Sequence, residues 1–133
     1  MEIESKQHIN MLLQSLQLLA ANYERQVKAF PEYVHVPDEI ALTFDDTYTL
    51  VASLRSDGLV TPAQEHKLGQ IDTLLEKMSQ DENVWTCEEL RTSSQWEDVR
   101  QLARETLKAF HTPRQNPDLF WLHYVPDQQA HAR

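Results

Sequence analysis

Cys87 is the single thiol of the sequence and so the first place to look for a nucleophile. The stretch Thr86-Cys87-Glu88-Glu89 sets it in the first turn of a predicted helix, where the helix dipole favours the thiolate. No histidine is predicted to lie beside it as an orienting base, and a lone half-buried cysteine usually serves packing. One cysteine also excludes an internal disulfide framework and a cysteine-rich zinc site. The serines have no Gly-x-Ser-x-Gly context for a nucleophile elbow. With only two glycines in the chain there is no glycine-rich loop to cradle phosphates, so nucleotide hydrolysis and dinucleotide binding find no support.

Metal chemistry fares no better. A carboxylate di-iron bundle needs paired Glu-x-x-His motifs on facing helices. Only Glu32-Tyr33-Val34-His35 has that spacing, and it sits in a segment bounded by Pro31 and Pro37 instead of on a long helix. No His-Glu-x-x-His occurs, and His8, His66, His111, His123 and His131 are scattered along the chain. The sequence therefore implies no catalytic residue, no metal and no cofactor, and it reads as a binder before it reads as an enzyme.

The remaining candidates are carboxylates. From Pro37 onward Ile40, Phe44, Thr47 or Tyr48, Val51 and Leu54 recur at steps of three and four, which is one helix face. At about 100° per residue, Asp38 and Asp45 fall nearly opposite that stripe, with Glu39 and Asp46 on its flank. Asp38 and Glu39 also complement the positive end of the helix dipole, whereas Asp45 and Asp46 lie mid-helix and have no such structural excuse. Exposed carboxylates escape the desolvation that acid–base catalysis requires, so this face suits docking. Asp38, Glu39, Asp45 and Asp46 are the expected partner contacts, with Tyr33 in the proline-bounded elbow and Trp85 at the corner before the next helix as aromatic anchors.

The elements that must hold these residues are helical. Sheet-rich folds need many tight turns, so two glycines in 133 residues favour an all-α chain, and that length suits one domain. The expectation is a single-domain bundle of about five helices over residues 1–112, followed by an irregular aromatic tail over residues 113–133. A first helix is predicted from about Ile3 or Ser5 to Ala29, because Ile9, Leu12, Leu16, Leu19, Tyr23 and Val27 keep the spacing and no Gly or Pro intervenes. Pro31 stops it. A second helix is predicted from Pro37 to about Arg55, ended by Asp57-Gly58, and a third from Pro62 to Ser79 behind the cap Thr61. Gly69 inside the third suggests either a close helix approach or simple tolerance. Thr86-x-x-Glu89 and Ser94-x-x-Glu97 both match capping boxes, predicting a short helix to Arg91 and a fifth from about Gln95 to Phe110 with Trp96 in the core. Prolines 113, 117 and 126 punctuate Leu119-Phe120-Trp121-Leu122-His123-Tyr124-Val125, an apolar run expected to pack on the bundle or engage a partner. Residues Asp127 to Arg133 are expected to fray.

Twenty-one acidic against twelve basic residues give a net charge of -9, which disfavours direct binding to nucleic acid phosphates and favours a basic protein partner. The start Met1-Glu2-Ile3-Glu4-Ser5-Lys6 lacks the pattern of a secretion signal and no apolar run reaches membrane-spanning length, so the expected setting is the cytoplasm, away from the membrane.

Phe30-Pro31-Glu32-Tyr33-Val34-His35-Val36-Pro37-Asp38-Glu39-Ile40-Ala41-Leu42, together with Trp85-Thr86, Glu89-Leu90 and Trp96-Glu97-Asp98-Val99-Arg100-Gln101-Leu102-Ala103, resembles the small helical immunity proteins of bacterial contact-dependent growth inhibition systems. The resemblance covers roughly Asn10 to Phe110 and leaves out the tail. It implies a cytoplasmic antidote that binds a cognate toxin domain, often a basic nuclease, and blocks its active site or substrate groove; the free chain is expected to be a monomer. It carries no residue-level site with it. The first rival reading is a helical adaptor or regulatory subunit that uses the Phe120-Trp121 tail as its contact, and the second is a metal-dependent or cysteine enzyme of unrecognised type.

Overall fold

The computed structural model describes residues 2–124, so Val125, the third tail proline and the expected fraying of residues 127–133 lie outside the described residues. Within these bounds the chain is all-α, with seven helical segments and no strand among the described residues: α1 (Glu2–Ala20), α2 (Tyr23–Lys28), α3 (Val36–Tyr48), α4 (Val51–Ser56), α5 (Pro62–Met78), α6 (Cys87–Thr92) and α7 (Ser94–Ala109), with a 3-10 turn over Glu82–Val84. Helix α7 packs against both α1 and α5, and α3 also packs against α1. The core is continuous, with Leu12, Leu16, Phe44, Ile71 and Trp96 fully buried.

Each of the two longest predicted helices is broken in two, and this accounts for the extra segments. The first ends at Ala20 because Asn22 adopts an extended conformation and caps α2, its Oδ1 accepting from Arg25 N at 3.0 Å. The carbonyls left open at the end of α1 are met by side chains: Gln26 Nε2 donates to the oxygens of Leu18 and Leu19 at 3.2 Å each, and Arg104 Nε to that of Ala20 at 2.9 Å. The second break is slighter. Thr43, Thr47 and Thr49 each turn a hydroxyl back onto a carbonyl of the preceding turn, which competes with the ladder, and α3 closes at Tyr48 before α4 resumes at Val51.

The predicted stops and starts are otherwise close. Gly58, at φ 77°, ends α4 with Leu59 N donating to Leu54 O at 2.9 Å. Thr61 and Gln64 form the full reciprocal box at the head of α5, with Pro62 in the first turn. Two details differ. Ser93, not Ser94, caps α7, its Oγ accepting from Trp96 N at 3.1 Å, because the chain stays extended for one residue fewer than the Ser94-x-x-Glu97 spacing suggested. Cys87 is exposed, not half-buried, since α6 is a short surface helix that buries Leu90 instead. At the other end of α7, His111 takes φ 55° and does the work usually given to glycine.

Beyond α7 the described part of the tail is irregular and tied to the bundle. Gln17 Nε2 donates to Pro113 O at 2.8 Å and its Oε1 accepts from Gln115 N at 2.9 Å, while Gln14 Oε1 accepts from Asp118 N at 2.8 Å. Leu119 and Tyr124 pack against the core, and the Tyr124 ring meets Phe30 edge-on at 5.7 Å. Phe120, with 37% of its surface exposed, stands clear beside Trp121.

Candidate functional site

Helix α3 begins with Val36 and Pro37, which are buried, so its first turn is anchored and its outer face is fixed in direction. That face carries Asp38, Leu42, Asp45 and Asp46, all exposed. Leu42 keeps 51% of its surface in water, the largest exposure of any leucine in the described chain. Across from it the chain leaves α5 through Ser79 and the 3-10 turn and reaches Trp85. The result is an open groove of about 460 Å³ edged by Asp38, Asp45 and Glu82, with Leu42 and Trp85 supplying its apolar surface.

The wall at Trp85 is braced from behind. Its Nε1 donates to Met78 O at 3.0 Å and its ring stands edge-on to Trp96 at 5.2 Å, while Trp96 Nε1 donates to Val84 O at 2.7 Å. Two indoles thereby staple the corner between α5 and α6. His35 closes the near end: its Nε2–H donates to Trp85 O at 2.8 Å, and Asp38 Oδ2 lies 3.8 Å from the same nitrogen. The histidine of the Glu32-x-x-His35 spacing is thus occupied in joining α3 to the Trp85 corner.

Asp45 is a carboxylate whose surroundings disfavour its charge. Partial burial pushes its pKa above the usual range, and the negative charges of Asp72, Asp46 and Glu76 push it further the same way. Asp72 and Glu76 stand one turn apart on α5, so the acidic field runs from α3 across to α5.

The six expected contacts therefore do not form one patch. Asp38, Asp45 and Trp85 line the groove, and Asp46 does not, though its charge acts on Asp45. Glu39 is half-buried and accepts a hydrogen bond from Tyr124 Oη at 3.0 Å, so it holds the tail. Burial and that bond raise the Tyr124 pKa, and Tyr33, 44% exposed, is close enough to Tyr124 to add to the effect. Tyr33 and Glu39 thus belong to the tail side of α3. Leu42, Glu82, Asp72 and Glu76 were not expected. Leu42 had a signal, since it breaks the apolar stripe one turn after Asp38, but the others depend on how α5 and the 3-10 turn pack.

Among the described residues no three His, Cys, Asp or Glu side chains come together in a way that could hold a metal ion. No helix among them is long and apolar enough to cross a membrane. A second groove, between α5 and α7, is larger at about 750 Å³ and mixes Lys77 and His66 with Asp98 and Glu105 over Leu74 and Leu102, so it has no dominant charge. Comparison with known protein families, curated protein sequences and solved structures gives no match.

Proposed function

We propose that this chain is a protein-binding domain whose partner presents a basic surface, and that it acts as an immunity protein: it binds a cognate toxin domain, a basic nuclease, and blocks its active site or substrate groove. The observation that carries this reading is the exposed Leu42 set in a groove between the carboxylates of Asp38, Asp45 and Glu82. Removing an apolar side chain from water supplies affinity, and a ring of like charges supplies steering and rejects acidic partners. A nuclease surface built to meet phosphates is positive, so carboxylates can take the place of its substrate. Asp38 and Asp45 are two turns apart on one rigid helix, about 10 Å along its axis, so their spacing survives in the free protein and little ordering cost is left for binding. The resemblance of the 30–42 segment to immunity proteins of contact-dependent growth inhibition points the same way, because that segment leads into the groove.

The test is co-expression with the C-terminal domain of the open reading frame immediately upstream, followed by cell survival and co-purification. Rescue with a stable complex is expected, with affinity and its salt dependence both reduced in the Asp38→Lys/Asp45→Lys/Glu82→Lys variant. Normal growth with the upstream domain alone, and no complex, would remove this reading.

A further inference from the structure

Three of the arginines are paired with carboxylates. Arg55 pairs with Glu65, Arg91 with Glu88 and Arg100 with Glu97. Arg25, Arg104 and Arg114 have no carboxylate partner among the described residues, and they are gathered in one place. Arg25 and Arg114 line a pocket of about 260 Å³ with Asn22, Gln115 and Asn116, where α1 gives way to α2 and the chain after α7 runs alongside. Arg104 stands next to it, donating from Nε to Ala20 O at 2.9 Å. It is close enough to Arg114 that, after partial burial, its charge is what lowers the Arg114 pKa.

Like charges held together with no carboxylate in ion-pair contact repel, so the folded state must hold them by other means. It does. Gln17, almost wholly buried, grips both the Pro113 oxygen and the Gln115 N–H, and Gln14 takes the Asp118 N–H, which fixes the backbone on either side of Arg114 and Asn116. Arg25 rises from the first turn of α2, whose cap uses the Asn22 oxygen and leaves the Asn22 amide nitrogen as a donor. The pocket thus offers guanidinium and carboxamide donors with no carboxylate on its wall.

We propose that this pocket binds a small free phosphate anion of the size of orthophosphate or pyrophosphate, held by Arg25 and Arg114 and backed by the charge of Arg104. A phosphate presents several oxygens to guanidinium forks approaching from different sides, whereas one carboxylate saturates a single fork. The volume is below that of a pocket enclosing a drug-sized ligand, so the anion is small, without a nucleoside attached. The site shares no residue with the α3 groove and stands independently of the function proposed for it.

The experiment is titration of the full chain with sodium phosphate, sodium pyrophosphate and sodium malonate at constant ionic strength, following the arginine Nε–H resonances by NMR. Saturable shifts at Arg25 and Arg114 with pyrophosphate are expected, with apparent affinity roughly tenfold or more lower in Arg25→Gln/Arg114→Gln and unchanged in Arg55→Gln. Shifts that do not saturate in the parent protein, malonate binding as tightly as pyrophosphate, or a folded double variant that binds like the parent would each overturn the proposal.

Discussion

Gln26 joins the end of α1 to Arg100 of α7 through a single carboxamide: its Nε2 donates to the Leu18 and Leu19 carbonyls at 3.2 Å, and its Oε1 accepts from Arg100 Nη2 at 3.1 Å. Arg100, only 4% exposed, also donates to Leu90 O and pairs through Nη1 with Glu97 at 3.2 Å. Burial lowers the Arg100 pKa, while Glu97 beside it acts in the opposite sense. Four helices thus meet at one buried polar pair. Replacing Gln26 by Leu strands the Leu19 carbonyl and a guanidinium donor, Leu18 O keeping its bond from Ala21 N, which costs about 2 kcal/mol in urea unfolding. In Gln26→Leu/Arg100→Met the donor and its acceptor are lost together, so the double variant is expected to be less destabilised than the sum of the two single ones. Strict additivity would mean that the two side chains act separately.

Asp45 makes a prediction about pH. Its folded pKa lies above the ordinary carboxylate value, so the native state takes up its proton more readily than the unfolded chain. The stability tied to that proton is fully present below the ordinary value, declines as pH rises through the raised one, and is absent at neutrality. Asp45→Asn should therefore stabilise the protein at pH 7, and the gain should vanish on acidification through the carboxylate range. Because the cause is partly repulsion from Asp72, Asp46 and Glu76, added salt should shrink the gain as well. Thermal melts of the pair of proteins across pH check both.

Gly69 lies in the middle of α5, and a Cβ built there would meet only the Tyr48 hydroxyl, at an ordinary 3.7 Å. The close helix approach that a mid-helix glycine suggests is thus absent at this position. Gly69→Ala should raise stability by about 0.5 to 1 kcal/mol from helix propensity alone, which scanning calorimetry would register as a rise in midpoint of a few degrees. A loss of stability would show that the groove beside it needs the missing methyl.

The course of the helices was legible because the apolar spacing and the caps agree, as at Thr61-Pro62 and Gly58. The break after Ala20 was not, since its causes lie far apart in sequence: Asn22 looks like any polar helix residue until Gln26 and Arg104 are placed against the carbonyls of α1. The site divides the same way. A helical wheel puts Asp38 and Asp45 outward correctly, but it cannot know that Tyr124 returns to take Glu39, or that Glu82 and Trp85 arrive opposite Leu42. Angular position on one helix is local information, and what faces that helix is decided by packing.

The α3 groove combines charge with an apolar centre, and the two contributions separate in kinetics. Carboxylates at a rim act while the partner is still approaching, so Asp38→Asn/Asp45→Asn should lower the association rate and flatten its salt dependence, leaving dissociation nearly unchanged. Leu42 acts only once water has been expelled. Leu42→Ala removes side-chain area that the free protein leaves in water, so the fold loses little while the complex loses about 1 to 2 kcal/mol, expressed as faster dissociation. Surface plasmon resonance against the proposed partner, the product of the upstream reading frame, reads both rates from the same traces. Loss of both effects, with binding intact, would move the contact away from α3, and loss of the Leu42 effect alone would leave the carboxylates steering a partner that seats elsewhere.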